Sequence, residues 1–94
     1  GPCICADCYE VGNEVIAGIA TRVPKEVFCI EHAGEGVRRH AGLRQAAAWQ
    51  LREAGVDKVD LLPQCTCCDA RFESFRRDGL RAGRQAGVIG LVRC

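Results

Sequence analysis

LRQAAAWQLREAGVDKVDLL, residues 43–62, joins a helical pattern to an extended one across a single glycine. Leu43, Ala47, Leu51 and Ala54 recur at intervals of three or four residues, which places them along one helical face. Gly55 stands where a left-handed residue closes a helix, so the pattern predicts a helix over 43–54. Val56 to Leu62 reads as a strand, with Pro63 closing it. Trp49 falls off the apolar stripe and is expected at the edge of the core. Helix and strand are thus expected in succession here.

Working outward, Asn13 is the expected N-cap of a helix running to about Val23, with Val15, Ile19 and Val23 on one face and Ile16 and Ala20 beside it. Pro24 ends that helix. Val27 to Ile30 is a short apolar run with strand character, and Glu31 to Gly42 reads as a Gly-rich, charged connection. Gly1 to Cys8 reads as a strand end or loop, because Gly-Pro cannot continue a helix. Val88 to Val92 is expected to be a second, buried strand.

Ninety-four residues allow one small domain. Such a chain buries about 60 to 65% of the surface its unfolded form exposes, which leaves a thin stability margin. The formal net charge of +1 conceals an asymmetry. Five acids face Arg22 and Lys25 in Gly1 to Glu31, whereas six arginines face Glu73 and Asp78 in Arg71 to Cys94. One local anion site is expected from this balance, not the broad basic face of a nucleic-acid binder. No apolar run approaches 18 residues and no signal-peptide pattern is present, so neither membrane insertion nor secretion is expected. The 8 cysteines are then expected as reduced thiols in a cytoplasm.

Two constellations carry chemistry. FESFRRDGLRAGRQAGVIGL, residues 72–91, sets Arg76, Arg77, Arg81 and Arg84 among Gly79, Gly83 and Gly87. A guanidinium matches phosphate or carboxylate oxygens two at a time, and glycine lets the backbone approach a ligand closely. The alternative is a solvated basic turn. Cys5-x-x-Cys8 and Cys65-x-x-Cys68 have the gap that lets two thiolates from one turn bind a tetrahedral zinc. The 56 residues between the pairs exceed zinc-ribbon spacing, however, and Cys3, Cys29, Cys67 and Cys94 are surplus, so ordinary buried or loop thiols are the competing expectation. Cys29-x-x-His32 is a weaker pair of that kind, and no local pattern supports a nucleophile pairing Cys8 or Cys29 with His32 or His40.

In order along the chain, Gly1-Pro2, Ile4, Cys8 to Val11, Gln50-Leu51, Ala54-Gly55, Cys65-Thr66, Arg76 to Gly79 and Gly83-Arg84 make up a set that resembles the C-terminal part of the YfiH, or laccase-domain, family. The chain departs from that pattern at Phe75, Glu73 and Gly42. Ala6-Asp7-Cys8 and His32-Ala33-Gly34 are similar to the family's metal-ligand motifs, but the residues that follow each do not fit that register. The resemblance implies an α+β fold, in which residues 1–94 are the C-terminal portion, well under half, of one mixed β-sheet sandwich flanked by helices. It implies a purine nucleoside phosphorylase acting on adenosine, inosine, guanosine and methylthioadenosine, with adenosine deaminase activity and an older description as a polyphenol oxidase. Its partners would be purine nucleoside, phosphate and the N-terminal part of the same fold. Its zinc or copper would be held by residues outside this chain, and Arg76, Arg77 and Arg84 would bind phosphate. A small zinc-stabilised interaction module built on Cys5, Cys8, Cys65 and Cys68 is the second expectation.

Overall fold

The computed structural model describes residues 2–34, 36–86 and 88–90, with the side chains of residues 32–37 outside the description. Two helices precede a hairpin: α1 (Asn13–Ala20), α2 (Lys25–Phe28), β1 (Cys29–Gly34) and β2 (Gly36–Ala41). Helix α3 (Leu43–Glu53) follows at once, and a short α4 (Phe75–Asp78) comes after a long irregular segment. Among the described residues this is an α+β arrangement with one two-stranded antiparallel sheet.

Residues 31–42, expected as a connection, are therefore mostly sheet. β1 and β2 pair from Cys29 with Ala41 to Gly34 with Gly36. Glu31 lies directly opposite Arg39 and accepts from its Nε at 3.2 Å, with Lys25 Nζ at 3.6 Å on the same carboxylate oxygen. Arg39, then Lys25, hold the Glu31 carboxyl below its ordinary pKa. Cross-strand charge pairs of this kind replace the apolar alternation that marks most strands. The backbone of Tyr9 to Val11 also joins this sheet: Val11 N donates to Arg39 O at 2.9 Å and Ala41 N donates to Tyr9 O at 3.1 Å.

Helix α1 starts at Asn13 itself, with Gly12 as its N-cap, and stops at Ala20. Thr21 Oγ1 donates to Gly18 O at 2.7 Å, which satisfies a carbonyl the helix end leaves free. Pro24 does not end α1; it stands immediately before α2, where its fixed φ and missing N–H cost nothing. The apolar run from Val27 accordingly divides into the end of α2 and the start of β1.

Helix α3 follows the expected bounds and ends in a Schellman closure. Gly55 takes φ +99°, its N–H donates to Arg52 O at 3.0 Å, and Val56 N–H donates to Leu51 O at 3.0 Å. Gly55→Ala should cost about 1 to 2 kcal/mol, because a Cβ is strained in that region. A denaturant midpoint unchanged by that substitution would contradict the closure.

The core is small. Ile16, Val23, Phe28, Ala41 and Ala46 form its buried cluster, with Tyr9, Val11, Ile19, Val27, Cys29 and Trp49 packed against it. Trp49 thus sits at the core edge, whereas the face of α3 expected inside points elsewhere: Ala46 and Ala48 are buried while Leu51 is 46% exposed. Val56–Leu62 is not a strand, and Leu61 and Leu62 are exposed. Val88 and Ile89 are 95% and 97% exposed with no regular structure, and residues 91–92 of the expected second strand lie outside the described residues. Extended chain needs a neighbouring strand to satisfy its backbone, and no described segment supplies one to these two stretches. The radius of gyration is 15.0 Å, against roughly 12 Å for a self-contained domain of this length.

Candidate functional site

Two turns present four sulfurs to one another. Cys5 is extended and leads into a 3-10 turn over Ala6–Cys8, closed by Cys8 N donating to Cys5 O at 3.1 Å. The second turn, Cys65 to Cys68, is closed by Asp69 N donating to Cys65 O at 2.9 Å. A parallel bridge between Cys3 and Cys65, with Thr66 N donating to Cys3 O at 3.2 Å, lays the two segments side by side. Cys8 Sγ then lies 3.1 Å and Cys5 Sγ 3.9 Å from Cys68 Sγ. All four sulfurs, with that of Cys65, fall within 4.8 Å of one another.

The electrostatics of the cluster are uneven. Cys65 is buried, and burial alone pushes its thiol up; the backbone N–H groups of Cys5 and Cys68, at 3.2 and 3.3 Å from its sulfur, outweigh that and bring its pKa down to about 6. The Cys8 thiol moves up, because it hydrogen-bonds first to Cys68 and then to Cys5. Several thiolates this close repel one another unless a cation shares them.

Guanidinium groups hold the backbone around the second turn. Arg77, whose side chain is 27% exposed, donates through Nη1 to the carbonyls of Thr66, Cys67 and Asp69 at 2.9, 3.1 and 3.2 Å. Its Nη2 donates to Phe72 O at 2.7 Å and to Asp78 at 2.8 Å. Arg44, unremarked in the sequence, donates to the carbonyls of Gln64 and Cys3. Nothing about Arg44 in sequence signals this, since its carbonyl partners lie 20 and 41 residues away.

The other two arginines expected to bind phosphate are placed differently. Arg76 stands in α4, with its guanidinium 5.1 Å from the Tyr9 ring centre and Nη1 donating to Glu10 O at 3.3 Å. A recess of about 290 Å³ opens beside it, lined by Ile4, Tyr9, Thr66, Glu73 and Ser74. Ser74 caps α4 by accepting from Arg77 N at 3.3 Å, and Gly79 beyond the helix takes φ +59°. Arg84 is exposed and has no hydrogen bond or ion pair with a described residue. Gly83, beside it, gives its N–H to Glu73 Oε2 at 2.7 Å. Arg76 and Arg77 are thus neighbours in α4 with different employment, and Arg84 is joined to neither.

Cys29 starts β1, apart from the four-sulfur cluster, and the side chain of His32 lies outside the described residues. Among the described residues no imidazole joins the cluster. A separate apolar groove of about 330 Å³ is lined by Leu43, Ala47, Leu51, Val59, Leu61 and Leu62. Most of the α3 face that sequence placed in the core therefore borders this groove.

Comparison with known proteins accounts for the ordered motifs. A family profile described as multi-copper polyphenol oxidoreductase laccase matches residues 1–92. The chain is 38% identical over 93 residues to a purine nucleoside phosphorylase of Deinococcus radiodurans, covering 99% of this chain and 35% of that protein. It is 32% identical over 91 residues to a purine nucleoside phosphorylase of Mycobacterium tuberculosis, covering 97% of this chain and 34% of that protein. An adenosine deaminase from an unknown prokaryotic organism is 33% identical over 88 residues, covering 89% of this chain and 33% of that protein. The chain spans about a third of the length of these curated relatives. No solved structure matches it. No described helix is long and apolar enough to cross a membrane.

Proposed function

Because the chain belongs to the multi-copper polyphenol oxidoreductase laccase family, we propose that residues 1–94 are the C-terminal portion of a single sandwich-type fold that works as a purine nucleoside phosphorylase. The observation that carries this reading is a match along nearly the whole chain to relatives bearing that name. Its substrates would be phosphate and a purine nucleoside such as adenosine, inosine, guanosine or methylthioadenosine. The relative named adenosine deaminase supports a hydrolytic side activity on adenosine. The enzyme would work in the cytoplasm, where its thiols stay reduced.

Phosphorolysis needs phosphate held against the anomeric carbon and charge stabilised as the glycosidic bond breaks. The arginine segment is our candidate for the first task. Arg76, beside a recess and an aromatic ring, and Arg84, whose donors no described residue takes up, would meet the phosphate. Arg77 would act with them by fixing the direction of α4, since its fork is spent on four carbonyls and a carboxylate.

The family's description names copper, and the residues here do not fit a redox copper centre. Such centres use imidazoles with one thiolate, whereas the only described cluster of metal-ligating side chains is four sulfurs. No step is routed through copper, and the family's catalytic metal would be held by residues outside these 94. The isolated chain is accordingly expected to release no purine base from inosine or adenosine in phosphate buffer, with or without added zinc. The longer enzyme should release it, and turnover by the isolated chain would overturn this division of labour.

A further inference from the structure

We propose that Cys5, Cys8, Cys65 and Cys68 together bind one zinc ion, a structural site that ties the opening segment of the chain to the turn preceding the arginine segment. The proposal does not depend on the phosphorylase reading. Zn–S bonds of about 2.3 Å in a tetrahedron put sulfurs roughly 3.8 Å apart. The distances of 3.1 and 3.9 Å to Cys68 Sγ, and the 4.8 Å limit on the whole set, bracket that value. Small shifts of side chains on two short turns would bring all four to it.

Four further observations favour a closed structural site. Each ligand pair sits on its own hydrogen-bonded turn, so the two residues of a pair project together. The backbone N–H groups of Cys5 and Cys68 already point at Cys65 Sγ, the outer-shell support that stabilises a metal-bound thiolate. Carbonyls before and within the second turn are held by Arg44, at Gln64, and by Arg77, at Thr66 and Cys67, which fixes the turn without using a sulfur. Among the described residues, Cys3, Cys29 and Cys67 are left out of the set, so these thiols do not compete for the same position.

Four thiolates around one ion select zinc or an iron–sulfur centre. With all four positions taken by protein, no place remains for water or substrate, and the role is structural. The effect reaches the candidate phosphate site through Arg77, which spans from the carbonyls of Thr66 and Cys67 to the helix carrying Arg76. Sequence separation of 56 residues between the pairs is no obstacle once the Cys3–Cys65 bridge has closed the loop.

The test uses the purified protein carrying residues 1–94, prepared under reducing conditions and analysed for bound metals. Wild type should hold one more equivalent of zinc than the Cys65→Ser/Cys68→Ser variant. Replacing zinc with cobalt(II) should give the intense sulfur-to-metal charge-transfer absorption of a tetrathiolate site. The Cys3→Ser and Cys67→Ser variants should keep that absorption. Should the double variant fail to fold, the wild-type cobalt spectrum with its two control variants still decides. Cobalt absorption without the tetrathiolate signature, iron in place of zinc, loss of the signature in either control variant, or a Cys8–Cys68 disulfide in the reduced preparation would each overturn the site.

Discussion

Phe28→Ala should remove most of the folding stability of the 94-residue chain. Among the described residues Phe28 is the largest fully buried side chain, 2% exposed, and the four other buried members of its cluster include two alanines. Removing a buried phenyl ring from a core typically costs about 3 to 5 kcal/mol, because the cavity it leaves collapses only in part. Chains of this length are stable by roughly 5 to 14 kcal/mol at most, and so small a cluster belongs at the bottom of that range. Phe28 O accepts from Gly42 N at 2.8 Å, which places the residue at the junction between the hairpin and α3. Far-UV circular dichroism through a urea titration measures the loss. Ile89→Ala is the control: that side chain is 97% exposed and its removal should leave the midpoint within error. Equal midpoints for the two variants would mean that the core described here is not what holds the chain together.

In the longer enzyme, Arg76→Ala should weaken the use of phosphate by roughly ten- to a hundredfold in kcat/KM, the equivalent of about 1.5 to 3 kcal/mol for one charged hydrogen bond. Arg84→Ala should behave alike. Both should melt close to wild type, since neither guanidinium is an anchor for more than one described backbone group. Arg77→Ala should do the reverse in its stability: five acceptor residues lose their donor, and an earlier melt should accompany any loss of activity. Lysine separates charge from geometry, because it keeps the cation and loses the planar fork. Arg77→Lys should therefore melt nearly as early as Arg77→Ala. If Arg76→Ala and Arg84→Ala keep normal phosphate dependence and melt early, the segment is architecture and the phosphate assignment is wrong.

Local signals were the legible part of this chain. Helix α3 and its closure at Gly55 were readable because both depend on residues within one or two turns: periodic apolar positions, and a glycine that alone tolerates φ +99°. The family was readable too, from short motifs in a fixed order, and the profile match over residues 1–92 agrees. Each Cys-x-x-Cys pair was visible as a pair.

What sequence left open depended on distant partners. The hairpin of β1 and β2 was missed because its strands are paired through their backbones and carry charges, such as Glu31 opposite Arg39, where apolar alternation would mark a strand. Val56–Leu62 and Val88–Ile89 have strand-like composition, but composition makes a strand only where another strand supplies hydrogen bonds, and the described residues supply none. The meeting of the two cysteine pairs was decided by the Cys3–Cys65 bridge and by guanidinium donors reaching across 20 and 41 residues from Arg44. The different employment of Arg76 and Arg77, adjacent in sequence, follows from α4 pointing successive side chains in different directions, one toward Tyr9 and one toward the carbonyls of the cysteine turn. Residue type determined which groups could hold an anion or a metal; only the tertiary structure decided which of them meet, because those contacts join segments about sixty residues apart.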